Sequence, residues 1–428
     1  MDICIYVWSS IFVVSLIWTA YKYKNIFHPV FFFVCFQFIE YALPLMVNNP
    51  LGYANYTTVN IIRVILFETV FVLAFMIGYY IRIWNKSIVI TNNILKINSN
   101  KYNMFNAKGS YIIIFILYGI GMTSRVILIM KMGGLTYVLA NSHAAYNSIM
   151  TGAGVISTLA RLMLIAIVCL FEKILLQNKT IDKILLFFMA AIYMMSYLVY
   201  SSRGPALELV LVLMCCYSMN KKRIAIKDII KPKYIILFIM VLVLAISALS
   251  RRVGAGEQFT FINAMKSLVS EYNRVDRDIV SYSYFNNHLH WNGKSYLNIL
   301  YMFIPSKIWP NKPVTDDGLF LMNIILGRNV DPTLGRLQMD LTVGSVPFTS
   351  QGLSYANFGI IGIIIAGFLT GKIYKYSYKK VRKEYSTTTT LIYFYVIYIF
   401  GFTPLYIQNM ISVTFFALVC RKLIYRKV

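Results

Sequence analysis

Residues 61–83 of the chain read IIRVILFETVFVLAFMIGYYIRI. About 20 mainly apolar residues are enough for one helix to cross the hydrocarbon core of a bilayer. The whole chain of 428 residues shares this character, because 58% of it is apolar and only 13% is charged, against about 25% charged residues in soluble domains. This composition excludes both a water-soluble fold and intrinsic disorder. We therefore predict an all-α, polytopic membrane protein.

Eleven apolar runs are predicted to be transmembrane helices. They are residues 3–20, 29–47, 61–83, 111–130, 155–176, 183–200, 205–219, 234–250, 352–372, 389–405 and 408–422. The seventh run is short for a span, and the last two could form one hairpin. The runs divide the chain into a bundle of eight spans (1–250), a loop domain (251–351) and three final spans (352–428).

The net charge of +25 comes from 41 Lys and Arg residues against 16 Asp and Glu residues. Of these 41, 26 lie in alternate loops and in the C-terminal tail, at 21–28, 82–110, 171–183, 220–233, 371–386 and 421–428. The short loops between them hold only Lys131 and Arg203. By the positive-inside rule the basic loops are cytoplasmic, the N-terminus is outside and the C-terminus is inside. The positive charge therefore reflects topology and not nucleic-acid binding.

Charged residues within or beside the predicted spans lie toward their outer ends. They are Glu40, Arg63, Glu68, Arg125, Arg161, Arg203, Glu208, Arg251 and Arg252. One interpretation is a set of separate ion pairs, Arg63–Glu68 and Arg203–Glu208, with other Arg side chains reaching the interface. The alternative is a shared anion site, since ionisable residues in spans usually mark function.

The type of basic residue favours the anion site. The cytoplasmic loops hold 21 Lys and 5 Arg, whereas the other basic residues are 10 Arg and 5 Lys. Topology requires only positive charge, but the planar fork of Arg suits phosphate or carboxylate. Ser201–Pro205 adds the Ser, Gly and Pro residues of a helix start, whose free N–H groups can bind an anion. A lipid-linked pyrophosphate at headgroup depth is one such ligand.

The loop 251–351 is predicted to be the extracytoplasmic working domain, because a loop of this length is unusual unless it is functional. Apolar spacing indicates an amphipathic helix over 259–272 and a short helix over Ser295–Phe303. A general base is expected among Glu271, Asp276, Asp278, His288 and His290. The aromatic residues of the loop either stack on sugar rings or form an interfacial belt. They are Tyr282, Tyr284, Trp291, Tyr296 and Trp309.

Several kinds of site are excluded by the motifs. The chain has no GxxxxGK[ST], HExxH or GxSxG sequence, which argues against an ATPase, a zinc protease and a serine hydrolase. Asp276-Arg277-Asp278 has the spacing of a metal–nucleotide-sugar site, but no soluble nucleotide-binding domain accompanies it. We therefore expect neither a metal nor another cofactor.

Three motifs resemble those of Wzy-type O-antigen and oligosaccharide repeat-unit polymerases. Ser202-Arg203-Gly204 follows a mid-chain span and precedes the large loop. Within the loop, Gly293-Lys294-Ser295-Tyr296 leads to Ile304-Pro305-Ser306-Lys307-Ile308-Trp309-Pro310-Asn311-Lys312-Pro313. Tyr355-Ala356-Asn357-Phe358-Gly359-Ile360-Ile361-Gly362 opens the next span. The resemblance covers about residues 200–375. In this family a Glu often precedes the Tyr of the last motif, where this chain has Gly352, Leu353 and Ser354.

This resemblance implies a GT-C-like, metal-independent glycosyltransferase in the bacterial inner membrane, with its active site on the periplasmic side. The family transfers a growing glycan from undecaprenyl pyrophosphate to a fresh lipid-linked repeat unit. A chain-length regulator and a flippase are the protein partners that it implies. An O-antigen ligase-like transferase and a polysaccharide flippase or other transporter remain alternatives.

The expected site combines the resemblance with the Arg pattern. The expected catalytic residues are Arg203, Arg251, Arg252, Glu271, Asp276 and His290. The expected substrate-binding residues are Arg125, Arg161, Arg274, Lys312, Trp309, Tyr355 and Asn357. In this hypothesis Arg203, Arg251, Arg252 and Lys312 hold the pyrophosphate, Arg125 or Arg161 lies nearby, and a carboxylate or His between 271 and 290 deprotonates the acceptor hydroxyl.

Overall fold

The computed structural model describes most of the chain. The described residues are 2–47, 54–81, 102–104, 109–140, 154–198, 204–220, 224–229, 269–270, 272–301, 304, 308–339 and 344–427. Their secondary structure is helical apart from one two-stranded antiparallel sheet, β1 (Tyr102–Met104) with β2 (Tyr425–Lys427), in which Tyr102 pairs with Lys427. The all-α prediction is thus confirmed for the described part, with this small sheet as the exception.

The helices of the first half of the chain are α1 (Asp2–Tyr23), α2 (Pro29–Gln37), a π-helical turn (Phe38–Ala42), α3 (Leu43–Val47), α4 (Thr58–Tyr80), α5 (Gly109–Lys131), α6 (Gly134–Ala140), α7 (Gly154–Ala160), α8 (Leu162–Gln177), α9 (Thr180–Leu198) and α10 (Gly204–Asn220). Those of the second half are α11 (Ile226–Ile229), α12 (Val275–Asn287), α13 (Lys294–Tyr301), α14 (Asp317–Ile325), a 3-10 turn (Arg336–Gln338), α15 (Ser350–Lys383), α16 (Thr387–Ile399) and α17 (Pro404–Ile424).

Six of the described helical segments are long and apolar enough to cross a membrane. They are Ile3–Tyr23, Pro29–Val47, Thr58–Tyr80, Ser110–Lys131, Thr180–Tyr197 and Ser350–Lys383. Shorter apolar helices cover three further predicted runs, at Gly204–Asn220, Thr387–Ile399 and Pro404–Cys420. The run 155–176 corresponds to α7 and α8, which are interrupted at Arg161, and the run 234–250 lies outside the described residues. The described helices are consistent with a polytopic membrane protein.

The most extensive helix contact in the described structure joins α4 to α15. Glycines allow their backbones to approach closely: a Cβ at Gly367 would lie 2.6 Å from the Phe71 carbonyl oxygen, and a Cβ at Gly371 would collide with the Phe75 carbonyl oxygen. Gly367 and Gly371 lie four residues apart on one face of α15, which is the small-residue spacing of close helix pairs in membranes. The glycines therefore fix the distance between these two helices.

The predicted loop domain is represented by α12, α13 and α14, which pack at one end of the bundle. Helix α12 contacts α4, α14 and α15, and α13 contacts α17. We call this the loop end of the bundle. The short helix that the sequence predicts over Ser295–Phe303 is confirmed as α13. The predicted amphipathic helix 259–272 lies almost wholly outside the described residues.

Helix α15 is kinked where the last sequence motif lies. Phe358 (φ −139°, ψ 16°) and Gly359 (φ +60°, ψ −148°) are not helical, and glycine is the residue that adopts the left-handed φ at least cost. The backbone N–H groups of Trp291 and Asn292 donate to the carbonyl oxygens of Ala356 (2.9 Å) and Asn357 (3.0 Å). The kink thus leaves carbonyl groups free to anchor the loop domain to the bundle.

Candidate functional site

A polar cavity of about 210 Å³ lies at the loop end, between α2, α15, α16 and the start of the loop domain. Its polar lining includes Gln37, Glu40, Tyr272, Arg274, Thr349 and Gln351. Aromatic side chains complete the wall, among them Phe36, Tyr398 and Phe400. The cavity is thus a mixed polar and aromatic chamber at one end of an otherwise apolar bundle.

Glu40 enters this cavity from the π-helical turn Phe38–Ala42. A π-helical turn inserts one residue into an α-helix and is frequent at functional sites. The Arg274 backbone N–H donates to the Glu40 carbonyl oxygen (3.1 Å), and the Arg274 Nε lies 3.3 Å from the Glu40 Oε1. Burial by itself lowers the pKa of Arg274, but the nearby charge of Glu40 outweighs it and leaves the pKa above its ordinary value.

Asp278 lies behind the cavity wall as a buried carboxylate with hydroxyl partners. The Tyr41 hydroxyl donates to its Oδ2 (2.8 Å), and the Thr349 hydroxyl donates to its Oδ1. Burial raises the pKa of Asp278 to about 7, although the hydrogen bonds from Thr349, Tyr41 and Tyr282 oppose this rise. A Cβ at Gly352 would lie 2.8 Å from Asp278 Oδ1. The carboxylate therefore occupies space that a side chain at 352 would need.

Asp276 is completely buried and has different partners from Asp278. Its Oδ2 accepts hydrogen bonds from the Tyr56 hydroxyl (3.0 Å) and from the Asn273 Nδ2 (3.1 Å). In the part of the chain that the structure describes, no group of three or more His, Cys, Asp or Glu side chains has the arrangement to hold a metal ion. Glu271, the other acidic residue expected to be catalytic, lies outside the described residues.

Arg277 lies between these two carboxylates in the sequence and is mostly buried. Its Nη1 donates to the Pro347 carbonyl oxygen (3.3 Å), whereas its Nε is buried with no hydrogen-bond partner among the described residues. Burial, together with the charge of Arg274, lowers the pKa of Arg277 to about 10. The Arg274 and Arg277 guanidinium groups thus lie near the carboxyl groups of Glu40 and Asp278.

His290 lies beside the kink of α15. Its ring meets the edge of the Tyr355 ring (centroids 5.3 Å apart), and a Cβ at Gly359 would lie 3.4 Å from the His290 Nε2. The His290 Nδ1 is buried and has no hydrogen-bond partner among the described residues. His288 instead stacks on Tyr284 and is exposed. The two histidines of the motif therefore have different environments.

A second polar cluster at the loop end contains Arg125, Arg161 and Glu208. The Arg125 guanidinium lies 3.5 Å from the centroid of the Tyr197 ring, and Arg161 also interacts electrostatically with Tyr197. The Arg161 Nη2 donates to the Asn409 Oδ1 (2.8 Å). The structure thus brings together two arginines that are 36 positions apart in the sequence.

Glu208 shares this cluster through two kinds of contact. It accepts a hydrogen bond from the Tyr395 hydroxyl (2.5 Å) and interacts electrostatically with Arg161. Tyr398 lies near both Glu208 and Tyr272. Because Tyr398 and Tyr272 also line the cavity, the second cluster adjoins the cavity at the same end of the bundle.

The arginines that the sequence places at the centre of the anion site are not among the described residues. Arg203, Arg251 and Arg252 all lie outside them, so the proposed Arg203–Glu208 pair also lies outside. The alternative pair Arg63–Glu68 does not form in the described structure: Glu68 is buried and its Oε2 accepts from the Gln351 Nε2 (2.8 Å). The two residues are five positions apart in α4, and this spacing puts their side chains on different faces of the helix.

The remaining expected binding residues have structural contacts. Lys312 donates from Nζ to the Ile304 carbonyl oxygen (2.6 Å), and burial lowers its pKa. Trp309 is 37% exposed and meets the edge of the Tyr301 ring. These two residues hold the segment after α13, and the structure does not bring them into the cavity wall.

The last motif also has an identifiable structural role. Tyr355 is buried and packs against Phe67 and Tyr282. Asn357 is completely buried, and its Nδ2 donates to the Ser295 Oγ (2.7 Å) and the Leu353 carbonyl oxygen (2.8 Å). Asn357 therefore joins α13 to α15, directly before the kink.

The sequence alone does not assign Gln37 or Thr349 to the site. It marks Glu40 only as a charged residue within a predicted span. The sequence does hold one indication of a polar site. In residues 29–44, Gln37 is the only amide side chain and Glu40 is the only acidic one, and they lie three positions apart. Comparison with protein-family models, with curated proteins and with solved structures gives no significant match. The function is therefore argued from the residues of this chain.

Proposed function

We propose that the chain is a membrane-integral glycosyltransferase that joins undecaprenyl-pyrophosphate-linked oligosaccharide repeat units into a surface polysaccharide. The observation that carries this proposal is the pair of adjoining polar sites, cavity and Arg125–Arg161 cluster, at one end of helices of membrane length. A lipid-linked substrate needs both features, since its tail remains in the bilayer while its phosphates and sugars meet polar groups at headgroup depth. The motif resemblance to Wzy-type polymerases supports the same activity.

The role of the arginines follows from the negative charge of the leaving group. The departing polyprenyl pyrophosphate carries negative charge, which fixed arginine donors stabilise as the bond to the sugar breaks. Arg125 and Arg161 are the described residues assigned to this task, and Arg203, which directly precedes Gly204 at the start of α10, is assigned with them. Arg251 and Arg252 remain assigned from the sequence.

The transfer step exchanges one bond for another. The acceptor hydroxyl oxygen bonds to the anomeric carbon of the donor glycan, and the bond from that carbon to the pyrophosphate oxygen breaks, with the electron pair leaving on the pyrophosphate. The hydroxyl proton passes to a base of the loop domain. We favour His290 over Asp276 for this role, because the Asp276 carboxylate is fully buried and held by Tyr56 and Asn273, whereas the His290 Nδ1 has no partner among the described residues.

Asp278 is assigned a supporting role. The polymerases that the motifs resemble often carry a Glu shortly before the Tyr of the last motif, where this chain has Gly352, Leu353 and Ser354. The Asp278 carboxylate lies against Gly352 and supplies an acidic group at that place from α12. The site is proposed to face the periplasm of the bacterial inner membrane, with a flippase supplying substrate and a chain-length regulator as partner.

A reconstituted assay tests the proposal. Purified protein in liposomes receives lipid-linked repeat units as its only substrate, and the products are sized on gels. We expect polymer and released undecaprenyl pyrophosphate from the wild type, and little of either from Arg161→Gln or Arg203→Ala. Arg63→Gln is the matched control. Arg63 lies near the start of α4 and has no hydrogen bond or ion pair among the described residues. Full-length polymer from Arg203→Ala and Arg161→Gln would exclude the arginine assignment, and absence of polymer from the wild type would favour a ligase or a transporter.

A further inference from the structure

The polar cavity at Glu40 contains a buried acceptor atom that lacks a donor. Gln37 is 6% exposed, lines the cavity, and its Oε1 has no hydrogen-bond partner among the described residues. A buried polar atom without a partner is unfavourable, and such atoms are uncommon in folded proteins. A ligand with a hydroxyl donor would satisfy this atom.

The charged groups of the lining balance each other. Among the described residues of the cavity wall, Glu40 is the acidic residue and Arg274 is the basic one, and their side chains lie 3.3 Å apart. Each keeps about a fifth of its side-chain surface exposed, 20% for Glu40 and 19% for Arg274. The pair can therefore still donate to and accept from a ligand. A wall with no net charge favours an uncharged ligand over a phosphate or a cation.

The shape of the wall selects among uncharged ligands. Phe36 and Tyr398 meet edge to face with ring centroids 6.1 Å apart, and both line the cavity together with hydroxyl and amide groups. A sugar ring has the matching surfaces, since its C–H faces pack on aromatic rings and its hydroxyls bond to amide, carboxylate and guanidinium groups. The volume of 210 Å³ equals that of about seven liquid waters at ~30 Å³ each. It has room for one ring and its hydroxyls.

We propose that this cavity is a binding site for one neutral sugar ring, held by Gln37, Glu40 and Arg274. This sugar ring is the terminal sugar of the acceptor repeat unit, an assignment that rests on the proposed function. The π-helical turn serves this site by placing Glu40 in the cavity three residues after Gln37. The substrate class that follows is an acceptor glycan whose non-reducing end carries an uncharged monosaccharide.

The test measures sugar binding directly and needs no transfer reaction. Purified protein in detergent is mixed with neutral monosaccharides, and saturation-transfer NMR reports which of them bind. Gln37→Leu keeps the size of the side chain and removes the acceptor, and Glu40→Gln removes the charge. We expect at least one sugar to bind to the wild type and each variant to weaken it about tenfold, which corresponds to ~1.4 kcal/mol. Gln177→Leu, at an exposed residue of α8, is the matched control and should bind as the wild type does.

The outcomes separate the sugar site from the proposed activity. Thermal unfolding midpoints confirm that the variants are folded. If no monosaccharide binds, or if folded Gln37→Leu binds as well as the wild type, the sugar site is wrong even where the wild type makes polymer. If sugars bind in the expected manner and the reconstituted wild type makes no polymer, the site is upheld and the polymerase proposal fails.

Discussion

The contact between α4 and α15 allows a stability prediction from distances. A Cβ at Gly367 would lie 2.6 Å from the Phe71 carbonyl oxygen and 3.0 Å from the Ala74 Cβ. Because both neighbours belong to α4, they cannot rotate away as a flexible side chain could, and the helices must part by several tenths of an ångström. Overpacking of this kind costs about 1–3 kcal/mol. Gly371→Ala should behave in the same way, since its Cβ would meet the Phe75 carbonyl oxygen.

The assay is the thermal unfolding of detergent-solubilised protein, followed by size-exclusion chromatography of the fraction that remains folded. At about 1 °C per kcal/mol for a chain of this size, Gly367→Ala should lower the midpoint by about 1–3 °C. Gly119→Ala is the control: it lies in α5, and its Cβ would have nothing within 4 Å. Its midpoint should not fall, since Ala favours a helix over Gly. Equal midpoints for Gly367→Ala and the wild type, or an equal fall in Gly119→Ala, would refute the close-packing argument.

Three further predictions follow from the site. Asn357→Ala removes buried hydrogen bonds to Ser295 and to the backbone of α15, and should destabilise the protein by about 2–3 kcal/mol, seen as a lower thermal midpoint. Burial raises the pKa of Asp278 from 3.8 to about 7, so the folded state binds a proton more tightly than the unfolded state and loses stability as the pH rises from about 4 to about 7. In a pH series of thermal midpoints, Asp278→Asn should lose less than the wild type over this range, and an unchanged slope would contradict the buried carboxylate. Arg161→Ala should lower kcat/KM for the lipid-linked donor at least about tenfold, with partial recovery in Arg161→Lys, measured by pyrophosphate-lipid release.

The fold was largely predictable from two patterns in the sequence. Long apolar runs mark helices because the bilayer fixes their length, and six of the runs are helices of membrane length. The run 205–219 coincides with α10 to within one residue at each end. Helix α13 was also predictable, since Pro305 cannot continue a helix. The inside–outside orientation stays a prediction from the distribution of Lys and Arg.

The site was harder to predict because it depends on irregular backbone. A π-helical turn inserts a single residue, which leaves the apolar run 29–47 unchanged, so the sequence marks Glu40 as a polar residue in a span but does not indicate the turn that places it in a cavity. The meeting of Asp278 with Gly352 joins residues more than 70 positions apart, and no local pattern encodes it. Arg125 and Arg161 both lie near Tyr197, and their role beside the expected pyrophosphate stays a prediction from the sequence.

The proposed function and the sugar site together make the loop end a two-substrate centre. The Arg125–Arg161 cluster is assigned to the phosphates of the donor, and the cavity at Glu40 is assigned to the acceptor sugar. Tyr398 lies near a residue of each, Glu208 of the cluster and Tyr272 of the cavity wall. In the proposed function, two adjoining sites at the loop end allow two lipid-linked glycans to meet without leaving the membrane.

Polymer formation by the purified protein tests the proposed polymerase activity most directly. The protein is reconstituted in liposomes with undecaprenyl-pyrophosphate-linked repeat units alone, without nucleotide, and the glycan length and the released undecaprenyl pyrophosphate are measured together. We expect a ladder of products with one lipid pyrophosphate released for each unit added, and loss of both in Arg161→Gln. Unchanged lipid-linked monomer after prolonged incubation of folded wild-type protein would contradict it.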